Sequence, residues 1–243
     1  MKSTPYTVNY KRAGDLFPSP STVPGSQIID WDLKESGLTK LIDWLDQEKF
    51  TGVLKASSNN IKFRGALLLF AGWCVGAVYA RDGEEPIKHT HKALPSLLKQ
   101  LSMVDVNSAV LQIYSLPDEV VLPFSSAFIG QFMEPAKEGN PNQLAAHFIE
   151  HVKDLPRHSL ISIRTLSEFG SELCLVFFYW GKLIGHFLVE EQKFSDSSIF
   201  PDYVFDKVLE AKIHLSILSP EIEGVYSGST RFGFPLLMSE QPR

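Results

Sequence analysis

Residues 65–80, GALLLFAGWCVGAVYA, and residues 174–189, CLVFFYWGKLIGHFLV, follow one pattern. Each is an apolar strand, a turn glycine (Gly72, Gly181), a short apolar step, a second glycine (Gly76, Gly185) and another apolar strand. The Gly72-to-Gly76 spacing equals that from Gly181 to Gly185. Two apolar runs around a glycine predict a β-hairpin, because glycine tolerates the positive φ that a tight turn demands. The recurrence predicts a core written twice, and paired surfaces rather than one catalytic cleft.

Reading outward from the first hairpin, the first unit begins near Ile28. Leu38, Leu41, Ile42 and Leu45 fall at i, i+3, i+4, i+7 and predict one face of a helix, with Ser36 or Thr39 as its cap. Residues 50–56 read as a strand and 57–60 as a turn. Strands at 62–70 and 75–80 form the hairpin. Leu94, Leu97, Leu98 and Leu101 mark a second helix, with Pro95 in its first turn, and 109–116 is a closing strand. A third helix is expected over 118–132, with Val120, Val121, Phe124, Phe128 and Phe132 near one face and Pro123 in or near its first turn.

The second unit repeats the order. Ala145, Phe148, Ile149 and Val152 predict its opening helix, followed by a strand at 159–164 and the hairpin 173–179 with 183–190. A helix at 203–211 has Val204, Val208 and Ala211 on one side. The last strand, 213–218, ends at Pro220 as the first unit's ended at Pro117. Each unit is α-β-β-β-α-β. The expected fold class is α+β: two tandem related units with largely antiparallel sheets and helices packed against them. The expected division is an extended Pro/Ser/Thr/Gly-rich arm at 1–26, a first domain at 27–133, a linker at 134–143, a second, diverged domain at 144–223 and a tail at 224–243.

A chain of 243 residues has room for two such domains. Its net charge of −5 argues against a broad nucleic-acid or anionic-membrane footprint. No apolar run is long enough for a transmembrane helix, and the first residues lack the apolar core of a signal peptide. The expected location is cytoplasmic. Cys74 and Cys174, at nearly matching places in the two apolar patterns, read as buried structural thiols.

Chemistry-bearing patterns are sparse. His89 and His91 precede a helix and have no Cys, Asp or Glu partner at ligand spacing. His147 and His151 stand at i, i+4 on a helix but without the His-Glu-x-x-His pattern. Neither cysteine has a local histidine to activate it. The acidic groups Asp82/Glu84/Glu85 and Glu190/Glu191 follow second hairpin strands and read as solvated loops. No catalytic, cofactor-binding or metal residue is therefore assigned, and no cofactor is expected. The run Phe177-Phe178-Tyr179-Trp180 alternates across a strand, one face for the core and the other for a helix or a partner.

The segments 50–54 (FTGVL), 65–72 (GALLLFAG), 75–80 (VGAVYA), Leu97-Leu98 and 116–124 (LPDEVVLPF) together resemble the PATAN domain. That module stands at the N-terminus of PatA-type cyanobacterial response regulators and in related bacterial proteins. The resemblance covers roughly residues 28–133 and reaches 144–220 only through the internal repeat. It implies a non-enzymatic interaction module in bacterial signalling, of the kind tied to motility, pilus control or cell patterning. Those regulators also carry a receiver domain with a phosphoacceptor Asp. No such acidic pocket with parallel βα units is visible in this sequence, so a stand-alone adaptor is implied.

The expected function is thus a cytoplasmic adaptor binding one or more protein partners, with no nucleic acid. Phe124, Phe128, Phe132, Phe232 and Phe234 are the expected partner-facing residues. Two alternatives are an accessory subunit held in an assembly by its extended termini, and a small-molecule sensor with a site between the repeats.

Overall fold

The computed structural model describes residues 14–87, 89–104, 108–133, 141–167, 170–196 and 210–218. These contain β1 (Ile28–Ile29), α1 (Leu33–Gln47), β2 (Gly52–Ser58), β3 (Phe63–Phe70), β4 (Trp73–Arg81), α2 (Thr90–Met103), β5 (Ala109–Ser115) and α3 (Asp118–Ile129). Then follow β6 (Gln131–Met133), α4 (Pro141–Lys153), β7 (Ser159–Ser167), β8 (Gly170–Tyr179), β9 (Lys182–Leu188), β10 (Lys193–Ser195) and β11 (Glu210–Ile217). The strands form two sheets, in the orders β1-β5-β2-β3-β4 and β10-β9-β8-β7-β11-β6. All their pairings are antiparallel, so the fold is α+β.

The two quoted hairpins are built alike. Each turns on two residues with positive φ: Ala71 (49°) and Gly72 (84°), then Trp180 (51°) and Gly181 (72°). Two such residues make the primed turn whose twist suits a hairpin. Each hairpin slips register at one place, between Leu68 and Leu69 and between Phe177 and Phe178. The slip leaves Val75 and Ile184 as bulged residues, so Val75 and Gly76 both face the same side of the sheet. The turn glycines press on the end of a preceding helix. A Cβ on Gly72 would stand 3.1 Å from the Leu45 carbonyl oxygen, and one on Gly181 2.8 Å from that of Lys153.

Connectivity also corresponds, because β4-β3-β2-β5-β1 and β9-β8-β7-β11-β6 run in the same order. The likeness has limits. Where β10 pairs with β9, the first sheet has a single antiparallel bridge from Ile87 to Tyr79 of β4. Most of the helix expected at 203–211 lies outside the described residues, and Ala211 stands in β11. The cysteines do not match either. Cys74 lies two residues after Gly72, where the second hairpin has Leu183.

Alternating side chains give each sheet two apolar faces. On the first sheet, Leu54, Leu67, Leu69 and Ala77 meet Leu41 and Leu45 of α1 and Leu94 and Leu97 of α2. On the second, Ile161, Val176 and Phe178 meet Phe148 and Val152 of α4. The opposite faces look at each other across α3. Val53, Leu68, Val75 and Tyr114 from one sheet join Leu160, Leu175, Phe177 and Phe187 from the other around Val121 and Phe124. The order of layers is helices, sheet, α3, sheet, helix. One apolar cluster therefore draws on both sides of the expected domain boundary.

Helix α3 can occupy a middle layer because it is apolar on every side. Its residues 120–126 are all buried, which marks an enclosed helix rather than a surface one. Its two buried hydroxyls are satisfied within the helix: Ser125 donates to Leu122 O (2.7 Å) and Ser126 to Pro123 O (2.6 Å). Pro123 stands at the start of the second turn, near the first as expected, and Pro95 stands in the second turn of α2 rather than the first. In α3 the carbonyl deprived of its i+4 donor belongs to the exposed Glu119.

Three further expectations are corrected. The arm is not a tail throughout: Leu16, Phe17 and Val23 are buried in the central cluster. Phe17 stacks on Phe128 with ring centroids at 5.9 Å and meets Phe124 edge-on at 5.2 Å. Each fully buried aromatic of this kind is worth about 1.5–3 kcal/mol in transfer alone. Helix α3 ends at Ile129, not 132, and Phe132 lies on the short strand β6. Helix α1 is capped by Asp32, whose carboxylate accepts from Lys34 N at 2.7 Å, rather than by Ser36 or Thr39. Gly37, at φ 74°, then breaks it before the apolar stripe begins.

Candidate functional site

The five expected partner-facing residues separate sharply. Phe124 is wholly buried between the sheets. Phe128 is partly buried, its ring lying over Gly76 of β4. Both are corrected to core positions, because α3 faces a sheet on each side. Phe132, in contrast, is 50% exposed, and its neighbour Met133 is 42% exposed. Phe232 and Phe234 lie outside the described residues. The aromatic run divides as alternation requires. Phe177 enters the central layer, Phe178 lies under α4, and Trp180 is half exposed at the hairpin tip.

Of the exposed large apolar side chains, Ile28, Phe132 and Met133 lie on edge strands and Val110 on the uncovered part of β5, whereas Met103, Leu166 and Trp180 lie elsewhere. Ile28 on β1 is 67% exposed, and Phe132 and Met133 lie on β6. β1 and β6 are the outermost strands on corresponding edges of their sheets. β1 covers only Ile113 and Tyr114 of β5. Beside Val110 to Gln112, no strand stands on that side among the described residues. Natural sheets usually blunt such edges with charge, proline or a covering loop.

The residue types that could carry catalysis are placed otherwise. His89 and His91 are exposed, with ring centroids 5.7 Å apart, and His147 and His151 are exposed on α4. Among the described residues, no three His, Cys, Asp or Glu side chains converge as metal ligands would. Asp82 pairs with Lys62 at 3.2 Å, and Glu84 with Arg81 at 3.4 Å. A Glu190 carboxylate oxygen accepts from Leu173 N at 2.7 Å. Burial pushes the thiols of Cys74 and Cys174 up to about 12. They are held as thiols, far from the nucleophilic thiolate.

Sequence reasoning passed over a polar cleft of about 220 Å³ on the inner face of the first sheet. Lys55, Ser57, Arg64, Val110 and Gln112 line its floor, and Gly14 and Asp15 form one lip. The register explains the grouping. Lys55 pairs with Gln112 across β2–β5, and Ser57 with Arg64 across β2–β3. Lys55 donates to Phe17 O at 3.0 Å and stands 5.6 Å from the centre of the Tyr114 ring. Burial lowers its ammonium to about 8, and the nearby Asp15 carboxylate opposes that shift. The lip is tied down twice: Tyr114 donates to Pro18 O at 2.6 Å, and Gln192 to Asp15 O at 2.5 Å. The available signal was Lys55 itself, a charge in the middle of a strand whose same-face neighbour Val53 is core.

Fold and sites together define an α+β protein with two antiparallel sheets sharing one helix. No family model, curated protein or solved structure matches the chain. Among the described residues, no helix is long and apolar enough to cross a membrane.

Proposed function

We propose that this protein is a non-enzymatic interaction module, an adaptor that takes an extended segment of a partner protein along its open sheet edges. The observation that carries this reading is the placement of Ile28, Phe132 and Met133, all exposed, on the two corresponding edge strands β1 and β6. Backbone groups on an open edge supply hydrogen bonds for an added strand, and alternate side chains supply selectivity. Residues 14–23, by contrast, are committed to the protein's own core, which argues against this part of the arm wrapping a neighbour. The resemblance to the PATAN domain supports a cytoplasmic role in bacterial signalling, such as motility or pilus control.

The test is affinity capture from the native lysate with wild-type protein and with the double variant Phe132→Asp/Met133→Asp, both read by mass spectrometry. Both side chains are about half exposed on a short edge strand, so the variant should fold and melt within a few degrees of wild type. A stoichiometric partner held by the wild type and lost from the folded variant supports the reading. An unchanged partner set, or none, refutes it.

A further inference from the structure

We infer that the cleft on the inner face of the first sheet is a binding site for a small oxyanion, a carboxylate or phosphate group, held by Lys55 and Arg64 with Ser57 and Gln112 beside them. This does not rest on the interaction reading, since the cleft floor and the exposed edge side chains are different residues.

Four polar side chains from three adjacent strands reach one hollow. Residues paired across an antiparallel sheet stand roughly 4.5–5.5 Å apart at Cβ, so groups on neighbouring strands can converge on a single ligand. Two of the four are cations. The Asp15 carboxylate stands at the lip and favours the charged form of Lys55. An ammonium has three N–H donors, and Lys55 gives one to Phe17 O. Arg64 adds the planar fork that matches carboxylate and phosphate oxygens in pairs. Ser57 and Gln112 carry an O–H and an N–H that can complete the set.

Lys55 also carries a desolvation penalty. An anion seated beside it would favour the charged ammonium and relieve part of that cost. Size limits the ligand. The cleft holds about seven waters' worth of volume at roughly 30 Å³ each. It is smaller than the roughly 300–1,000 Å³ of pockets for drug-sized ligands. Inorganic phosphate or a short dicarboxylate fits within it.

The experiment is calorimetric titration of the full chain with inorganic phosphate and, separately, with succinate, in a chloride buffer. Saturable binding of one of them with a Kd below about 1 mM is expected, and the stronger of the two identifies the natural group. Lys55→Gln and Arg64→Gln should each weaken that binding about tenfold or more, as loss of a charge-assisted hydrogen bond requires. Arg64 is only half buried, so Arg64→Gln tests the site even if Lys55→Gln does not fold. Failure of both anions to bind overturns the inference, as does binding that Arg64→Gln leaves unchanged.

Discussion

Replacing Gly76 with alanine should destabilise the protein, and the reason lies across the layer boundary. A Cβ at Gly76 would stand 2.6, 2.8 and 2.9 Å from Cδ2, Cγ and Cε2 of Phe128. The backbone there is not in the left-handed region, so the obstacle is the ring alone. That ring has little room to move, being stacked on Phe17 and edge-on to Phe124 at 5.6 Å. Overpacking of this kind costs about 1–3 kcal/mol. Loss of glycine's chain entropy returns about 0.5–1 kcal/mol. The net expectation is a loss of roughly 1–2 kcal/mol, or about 2–8 °C in Tm for a chain of this size. Thermal and urea unfolding would measure it.

The decisive arm is the same change on a Phe128→Leu background, where the ring is gone and the penalty should largely vanish. A coupling of about 1 kcal/mol or more is expected from residues in direct contact. If Gly76→Ala raises Tm, or costs the same with and without the Phe128 ring, β4 does not face α3 and the shared middle layer is wrong.

Three other outcomes follow from the same structure. Phe17→Ala should cost about 3–5 kcal/mol, the usual loss for a buried phenylalanine, whereas a tail residue would cost almost nothing; urea midpoints decide. Cys74 and Cys174, with thiols near 12, should show about one thiolate in ten thousand at pH 8. Labelling of the buried Cys174 by a thiol reagent should track unfolding, and rapid labelling of it in the folded chain would contradict that burial; Cys74 is only partly buried. His158 is buried against Tyr179 and Trp180, and burial lowers it to about 4. Its folded value lies below the ordinary 6.5, so protonation favours the unfolded chain. The stability it protects is whole above about pH 6.5 and lost as pH falls toward 4. His158→Phe should flatten that limb in urea melts at pH 7 and 4.5, leaving the contribution of His186, which burial shifts the same way. An unchanged slope would be the contrary result.

The elements that sequence made legible are those whose neighbours are local. Leu41, Ile42 and Leu45 announce a helix face because period 3.6 is written into one segment. Gly72 and Gly181 announce hairpins because turn geometry needs only two residues. What pairs at long range left fainter marks. The buried stretch from Val120 to Ser126 was legible as a helix, but taking one face as its apolar side hid the fact that it serves two sheets. Phe17, inside a proline-rich run, looked like tail because its partners, Phe124 and Phe128, lie a hundred residues on. β6 and β10 are three residues long and exist through their neighbours' registers rather than any periodicity of their own. The cleft escaped for a similar reason. Lys55, Arg64 and Gln112 are ordinary strand residues until the pairing of β2 with β3 and β5 brings them onto one floor.

The hydrogen bond from Gln192 to the Asp15 carbonyl spans 177 positions, and it bears on how the chain is made. During synthesis the first sheet emerges long before β8 and β9, so α3 would wait with one apolar flank bare to water. Contacts of such sequence separation form slowly, because loop closure must come before any packing gain. Half-made chains with exposed apolar surface are prone to associate with one another. The lip at Asp15 cannot be fastened until Gln192 has left the ribosome.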